Sequence, residues 1–284
     1  MSYRAIRSVQ PPLVLVAAVA LVLAAFTQAT AHAAAATPPV VDIMATDYAF
    51  EAPDVLPAGL VTLRLMNHGQ EPHHAQLLRL NDDVTFDQFA AALQTEGDGA
   101  LRLAALTGGP GAVSPLKSSE VTLDLTAGSY VLACFIAGPD GVPHLAKGML
   151  MPLTVTSARA DPSSVPEVAG TLTMRDFSFD MPDVVPAGGV TYKVVNEGPQ
   201  PHELNILKLA PGATVDDMGA WEANPSTPPP FEAVGGINGL SRGVDGFMTV
   251  DLSPGAYVAI CHIPDPGSGV PHSHLGMIRV FSVA

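Results

Sequence analysis

The chain has 284 residues, a formal net charge of −14 and only two cysteines. Its length suffices for two ordinary domains. The acidic balance argues against nucleic acid and anionic membrane as partners, because both require a cationic surface. It permits docking to a partner with a basic face.

Residues 1–33 have the pattern of a secretory signal peptide. Arg4 and Arg7 precede an apolar run at 13–26, and Ala31-His32-Ala33 fits a small-x-small cleavage site. The run is about 14 residues long, which is short for a membrane span of ~20 residues. We therefore expect a secreted or periplasmic protein without a membrane span in the mature chain. Loss of the two arginines lowers the net charge from −14 to −16.

The pattern that follows is that of β-strands. Alternating apolar residues or short apolar runs predict strands at 41–45, 61–66, 77–80, 121–125, 130–134 and 150–155. The period changes at 84–93, which predicts a short helix with Asp82 or Asp83 as its cap. Residues 97–114 are predicted to form a long loop. The polar, proline-containing stretch 157–167 is the predicted linker.

The chain then repeats itself. Residues 47–80 align without a gap on 176–209 at an offset of 129, which shortens to 127 at Cys134 and Cys261. A second short helix is predicted near 214–223, before a proline-rich loop at 225–230. Copies this long indicate two domains rather than a solenoid. We predict an all-β chain of two tandem β-sandwich domains, 40–156 and 168–284, each with a short helical insert.

Each copy carries cysteine, histidine and methionine in one order. Gly-x-Tyr-x3-Cys is followed by a Gly/Pro/Asp loop and by His-x4-Met, which places Cys134, His144 and Met149 in the first copy. Thiol, imidazole and thioether are soft donors that suit copper better than magnesium, calcium or manganese. The second copy repeats the set as Cys261, His272 and Met277.

With a further Asn-x4-Pro-His motif, each copy resembles a cupredoxin, the blue copper domain. That motif is Asn67 to His73 in the first copy and Asn196 to His202 in the second. The resemblance implies a Greek-key β-sandwich with mononuclear copper at one end. It implies a trigonal His2Cys site with a long axial methionine in each copy, made by His73, Cys134, His144 and Met149 and by His202, Cys261, His272 and Met277.

The spacing of the ligands departs from that of small electron carriers. Nine residues separate Cys134 from His144, which looks more like the two-domain copper nitrite reductases. Those enzymes have further histidines before the cysteine and five residues after the first histidine ligand. This chain has Ala133 and Leu78 there, and Ile260 and Leu207 in the second copy. An enzymatic copper cluster is therefore not supported.

Other interpretations of these residues stay open. Cys134 and Cys261 could form a disulfide, the default in an exported chain, or could be inert buried thiols. His262 and His274 could bind a second ion or replace a ligand. His74 aligns with Glu203, so a shared role is not expected.

Two further residue pairs have structural explanations. Asn67 and Asn196 could tie two ligand loops together or simply make turns. Tyr130 and Tyr257 are predicted to pin the corner of each sandwich.

The sequence thus predicts an exported copper protein that transfers single electrons, with a basic redox protein as a possible partner. The first alternative is a copper storage or delivery protein. The second is a metal-free binding module. A nitrite-reductase-like enzyme is a distant third, because it would need histidines shared between chains. The sequence does not indicate the oligomeric state.

Overall fold

The computed structural model describes Met1 and residues 36–160, 163–225 and 228–284. The predicted signal peptide therefore lies outside the described residues, apart from Met1. None of the helices among the described residues is long and apolar enough to cross a membrane. The described residues from 36 onward form one compact unit, and the two copies are described below as copy 1 (40–156) and copy 2 (168–284).

Copy 1 contains eight strands and one α-helix. The helix, α1, spans Phe86–Glu96. The strands are β1 Val40–Thr46, β2 Ala49–Glu51, β3 Val55–Asn67, β4 Gln76–Leu80, β5 Ala104–Leu106, β6 Ser118–Leu125, β7 Gly128–Ala133 and β8 Leu150–Arg159.

Copy 2 repeats this order, except that two strands, β11 and β12, take the place of β3. Its helix, α2, spans Val215–Ala223. The strands are β9 Gly170–Arg175, β10 Ser178–Asp180, β11 Val184–Val185, β12 Gly188–Asn196, β13 His202–Leu209, β14 Phe231–Leu240, β15 Asp245–Leu252, β16 Gly255–Ile260 and β17 Ile278–Val283.

Each copy is a sandwich of two sheets. In copy 1 one sheet has the order β2-β1-β3-β6 and the other β3-β8-β7-β4-β5, with the long strand β3 contributing to both. Copy 2 has β10-β9-β12-β15 facing β11-β17-β16-β13-β14. Hairpins such as β7–β8 and β16–β17 stay within one sheet, whereas connections such as β6 to β7 and β12 to β13 cross to the other, as in a Greek-key sandwich. The predicted all-β, tandem cupredoxin-like fold is confirmed.

The alternation seen in the sequence explains how the strands pack. In β3 the side chains of Val61, Leu63 and Leu65 are buried, while the residues between them are partly exposed. Strand side chains alternate between the two faces of a sheet, so this pattern directs one face of β3 into the core. Tyr130 and Tyr257 close the sandwich corners as predicted, because their hydroxyls donate to the carbonyls of Thr126 and Ser253.

The structure differs from the predicted elements in detail. Helix α1 is capped by Thr85, whose hydroxyl accepts from the Gln88 N–H, and not by Asp82 or Asp83. The predicted loop 97–114 begins with a 3-10 helix, Gly97–Leu103, and contains β5. Strand β8 continues to Arg159, three residues into the predicted linker. Propensity patterns do not reveal these points, because β5 and the end of β8 are stabilised by pairing with distant strands.

The two copies meet about a pseudo-two-fold axis. Strand β6 pairs antiparallel with β15, and Val121 lies opposite Met248, its own counterpart 127 residues later. A second crossing places Pro110 opposite Ile237, again 127 residues apart. Equivalent residues facing each other define an isologous contact, the kind found in symmetric dimers. The pairing of β6 with β15 joins both copies into one continuous sheet.

The hydrogen bonds across this contact are duplicated in the same way. The Gln76 amide donates to the carbonyl of Gly239 at 3.1 Å, and the Asn205 amide oxygen accepts from Ala112 at 2.9 Å. Gln76 corresponds to Asn205, and Ala112 to Gly239. The hydroxyls of Ser114 and Ser241 likewise accept from Ala233 and Leu106, both at 3.0 Å. Equivalent positions of both copies therefore make this contact, although Gln76 donates where Asn205 accepts.

Candidate metal centres

The residues predicted as ligands in copy 1 come from three segments at one end of the sandwich. His73 lies shortly before β4, Cys134 directly after β7, and His144 opens a 3-10 helix, His144–Lys147. A ring nitrogen of each histidine and the Cys134 sulfur all lie within 4.8 Å of one another. Loops that end strands thus bring together three residues that are far apart in sequence.

The three side chains of copy 1 are completely buried. The Nδ1 atoms of His73 and His144 are 3.0 Å apart, and Cys134 Sγ lies 3.5 Å from His144 Nδ1. Both rings therefore turn Nδ1 inward and Nε2 outward. Two inward nitrogens and one sulfur around a common point are the donor set of a trigonal His2Cys copper site.

Copy 2 has the same arrangement. His202 Nδ1 and His272 Nδ1 are 3.1 Å apart, and Cys261 Sγ lies 3.4 Å from His272 Nδ1. These three residues are also fully buried and within 4.8 Å of one another. Each donor set fits copper. In the part of the chain that the structure describes, only these two clusters of three or more histidine, cysteine or acidic side chains converge so closely.

Met149 and Met277 lie beside the cysteines. Both methionines are fully buried, and their carbonyls accept from the N–H groups of Cys134 and Cys261 at 3.2 Å. A glycine in the left-handed conformation, Gly148 or Gly276, turns the chain before each methionine. The backbone thus places both methionines next to the clusters.

The cysteines do not form a disulfide. Cys134 and Cys261 are free and buried, so the disulfide alternative is wrong. Burial raises the pKa of the Cys134 thiol to about 12 and raises the pKa of Cys261 as well. A bound metal cation reverses this preference, because a coordinating thiol is deprotonated. Without a metal both groups are neutral thiols.

Burial favours the neutral form of His73, His202 and His272. Burial lowers the pKa of His73, although its hydrogen bond to the Asp47 carboxylate opposes the shift. Burial likewise lowers the pKa of His202 and His272. Neutral imidazole has a free lone pair, which is the form that binds metals.

An aspartate that the sequence analysis missed orients the first histidine of each copy. Asp47 Oδ1 lies 2.8 Å from His73 Nε2, and Asp176 Oδ1 lies 2.5 Å from His202 Nε2. A carboxylate on the outer nitrogen fixes the tautomer and leaves Nδ1 free to bind a metal. The two aspartates begin the aligned repeat segments, so their equivalence was visible in the sequence. Their contact with histidines 26 residues away was not.

The outer nitrogen of the second histidine has a different partner in each copy. His144 Nε2 lies 2.8 Å from Glu71 Oε2, whereas His272 Nε2 lies 3.0 Å from Gln200 Oε1. Glu71 and Gln200 are equivalent in the repeat. One ring therefore faces a carboxylate and the other faces a neutral amide.

Asn67 and Asn196 fix the loop that carries the first histidine. The Asn67 amide donates to the carbonyls of Glu71 and Val113 at 2.7 and 2.9 Å and accepts from Gly69 at 2.8 Å. Asn196 makes the three equivalent bonds at 2.7, 2.8 and 2.9 Å. The predicted turn is confirmed. The additional tie runs to the segment before β6, or before β15, and not to the loop of the second histidine.

His74 and Glu203 share a role, contrary to expectation. His74 Nε2 accepts from the Phe135 N–H at 2.8 Å, and Glu203 Oε1 accepts from the His262 N–H at 2.8 Å. Both donors directly follow the cysteine of their copy. Unlike side chains thus anchor the cysteine loop, because the position requires only a hydrogen-bond acceptor.

His262 and His274 are not part of either cluster. His262 Nδ1 is 3.8 Å from Glu203 Oε1, and its Nε2 is 3.7 Å from Glu222 Oε1. The side chains at the positions of an additional enzymatic site, Leu78, Ala133, Leu207 and Ile260, are buried and apolar.

No family model matches the sequence, and no curated protein matches it. Among solved structures, a multicopper oxidase is 16% identical with a TM-score of 0.27, covering 88% of this chain and 92% of that one. Auracyanin A, a "blue" copper protein from Chloroflexus aurantiacus, is 22% identical with a TM-score of 0.28, covering 42% and 99%. Copper nitrite reductase from Nitrosomonas europaea is 14% identical with a TM-score of 0.26, covering 87% and 94%.

The chain has a cupredoxin-like fold with copper-type donors. This description rests on the strand order of the two sandwiches and on the two buried His-Cys-His clusters at their ends.

Proposed function

We propose that the protein binds one copper ion in each copy and transfers single electrons. The ligands would be His73, Cys134, His144 and Met149 in copy 1, and His202, Cys261, His272 and Met277 in copy 2. The observation that carries the proposal is the convergence of two imidazole nitrogens and one sulfur in a fully buried cluster, formed twice. Nitrogen, thiolate and thioether donors together tolerate both Cu(I) and Cu(II).

The protein contributes rigidity to this chemistry. Copper would supply the one-electron couple, and the thiol proton of Cys134 or Cys261 would leave when the metal binds. Asp47 and Asp176 hold the first histidine ring of each site, and Asn67 and Asn196 hold its loop. Ligands that are fixed before the electron arrives move little when the charge changes.

Burial of the donors supports electron transfer over storage or delivery. All six histidine and cysteine side chains are 0% exposed, so a copper ion would have no open path to a receiving protein. An ion that leaves readily requires at least one accessible ligand. A metal-free binding module would have no use for these buried polar side chains.

The N-terminal sequence and the net charge support a location for the protein and a class of partner. The signal-peptide pattern at residues 1–33 supports export, to the periplasm or beyond. The acidic surface supports a redox partner with a basic face, since opposite charges accelerate encounter.

The visible spectrum of the Cu(II)-loaded mature protein tests the proposal. Thiolate-copper sites should produce an intense absorption band, and Cys134→Ser should remove the contribution of copy 1 while leaving that of copy 2. Cys261→Ser should do the reverse. Survival of the band in the double variant would exclude both thiolates as ligands.

The metal-free form provides the companion measurement. Thiol titration under denaturing conditions should find two free thiols. Two free thiols without a band after copper loading would favour the binding module. Copper that is lost rapidly to a chelator would favour delivery.

A further inference from the structure

The two centres differ at one direct contact with a ligand ring. The first histidine faces an aspartate in both copies, and this partner therefore creates no difference between the two centres. The second histidine faces the Glu71 carboxylate in copy 1 and the Gln200 amide in copy 2, at 2.8 and 3.0 Å. The repeat thus changes a charge at hydrogen-bond distance from a ligand and keeps the shape of the side chain.

Side chains found only in copy 1 hold Glu71 in place. The Tyr48 hydroxyl donates to Glu71 Oε1 at 2.7 Å, which leaves Oε2 for His144. Lys147 Nζ lies 3.4 Å from the same hydroxyl and 2.7 Å from Asp140 Oδ1. Lys147 is paired with Asp140, and no ion pair between Lys147 and Glu71 is found among the described side chains, so Glu71 Oε2 faces the His144 ring without a cation in direct contact.

In copy 2 the residues equivalent to Tyr48, Glu71 and Lys147 are all neutral or apolar. Phe177 stands where copy 1 has Tyr48, and Leu275 where it has Lys147. Gln200 uses its amide nitrogen to donate to Asp265 at 3.0 Å. The nearest carboxylate on this side is therefore separated from the His272 ring by a whole side chain.

One buried carboxylate in copy 2 lies on the opposite side of its site. Glu203 accepts from the backbone N–H of His262, next to Cys261. The His262 ring lies between two carboxylates, with Nδ1 3.8 Å from Glu203 and Nε2 3.7 Å from Glu222, and burial raises the pKa of Glu203, which disfavours its charged form. Unlike Glu71, Glu203 makes no hydrogen bond to a ligand ring among the described residues.

A carboxylate at this contact favours the oxidised metal. Accepting a hydrogen bond from Nε2–H makes the imidazole a stronger donor through Nδ1. The negative charge also opposes the arrival of an electron at a buried site, where Coulomb interactions are weakly screened. Both effects lower the reduction potential, and neither operates to the same extent through the neutral Gln200.

We infer that Glu71 gives the copy 1 centre a lower reduction potential than the copy 2 centre, so that a single electron shared by the two resides mainly in copy 2. This inference rests on the proposed function. It makes Glu71 and Gln200 positioning residues that set the potential, and it gives the tandem chain a direction, with copy 1 as the donor side.

Redox titration of single-site variants tests the inference. Cys261→Ser leaves only the copy 1 centre, and Cys134→Ser leaves only that of copy 2. Glu71→Gln in the first background should raise the midpoint potential. Gln200→Glu in the second should lower it. Glu197→Gln in the second background is the matched control, because Glu197 lies near the same loop but pairs with Arg175 at the surface, so no comparable shift is expected.

Each outcome has a distinct meaning. Opposite shifts in the two exchanges, with the copy 1 centre lower before any exchange, support the inference. Intact copper bands with equal potentials, or with exchanges that leave them unchanged, overturn it and leave the proposed function standing. Absence of copper bands overturns both. If a serine variant does not fold, the two reduction steps of the parent chain provide the readout, and Glu71→Gln should bring them closer together.

Discussion

Copy 1 and copy 2 agree closely inside the two His-Cys-His clusters and differ in the residues that surround them. The spacing between the inward histidine nitrogens is 3.0 Å in one and 3.1 Å in the other, and the sulfur-to-nitrogen distances are 3.5 and 3.4 Å. The aspartate, the asparagine and the corner tyrosine recur. The partner of the second histidine and the anchor of the cysteine loop do not.

This contrast separates what forms the site from what adjusts it. Residues that fix backbone geometry are shared, because both copies need the same convergence of donors. Residues that change charge around that geometry differ, since the fold tolerates glutamate or glutamine, and histidine or glutamate, at the same place. Shared residues should therefore have equal effects when altered, and differing residues unequal ones.

The largest expected effect comes from a pair of shared glycines at the contact between the copies. Gly109 and Gly236 have φ values of +127° and +135°, and a Cβ would lie 2.0 Å from the carbonyl oxygen of Ala75 or 2.2 Å from that of Leu204. Gly109→Ala and Gly236→Ala should each destabilise the fold by about 4 kcal/mol or more, because backbone strain adds to a clash that no side chain can relieve. Denaturant unfolding measures the loss.

Gly243→Ala is the control for this pair. Its φ is +75° and no atom lies near its Cβ position, so only the strain of the left-handed conformation remains, about 1 kcal/mol. A mild effect of either interface variant, or a large difference between the two, would contradict the pseudo-two-fold description of the contact.

The next effect concerns the shared asparagines. Asn67→Ala and Asn196→Ala each leave two carbonyls and one N–H without their partner in a buried loop, which should cost about 3 kcal/mol. The losses should be equal, since the three bond lengths match between the copies. Asn81→Ala removes one exposed bond to Arg102 and should cost about 1 kcal/mol or less. Unfolding midpoints of the metal-free variants distinguish these cases.

The differing anchors of the cysteine loop should give the copies opposite pH responses in the metal-free protein. Burial lowers the pKa of His74 from 6.5 to about 3, so its stabilisation is present above pH 6.5 and declines as the pH falls toward 3. Between pH 7 and pH 5 this amounts to about 2 kcal/mol by linkage. His74→Gln, which keeps an acceptor for Phe135, should remove that dependence.

Glu203 should act in the opposite direction. Burial raises the pKa of Glu203 above its ordinary value of 4.5, so the stability that it permits is complete below pH 4.5 and declines as the pH rises. Glu203→Gln should therefore become more stable relative to the parent as the pH increases from 5 to 7. Changes of the same sign for His74→Gln and Glu203→Gln would contradict the assigned environments.

Much of the candidate site could be predicted from the sequence, because its histidines and cysteine recur in the same order in both copies. The order of His73, Cys134 and His144 was sufficient to locate the cluster, and strand alternation located most of the sheets. Asp47 and Glu71 were missed as partners because a hydrogen bond across the sandwich leaves no periodic signal. The shared role of His74 and Glu203 was missed since it depends on an N–H of the backbone, which any acceptor satisfies.

The arrangement of the two copies also could not be predicted from the sequence. Val121 and Met248 occupy the pseudo-two-fold axis, yet nothing in an apolar strand indicates which edge will pair with a distant copy. Hydrophobic periodicity determines which face of a strand is buried, whereas the strand that pairs with the edge of a sheet depends on the complete fold.

The smallest expected effect concerns the aromatic residue beside the second histidine. Tyr48→Phe removes the hydroxyl that donates to Glu71 and should destabilise the metal-free protein by about 1 kcal/mol. Phe177→Tyr adds a hydroxyl beside the neutral Gln200 and should change stability by less than about 0.5 kcal/mol. Urea unfolding of both variants measures the difference. Equal losses would mean that the hydroxyl matters for packing alone, whereas unequal losses would show that its value lies in holding the carboxylate found only in copy 1.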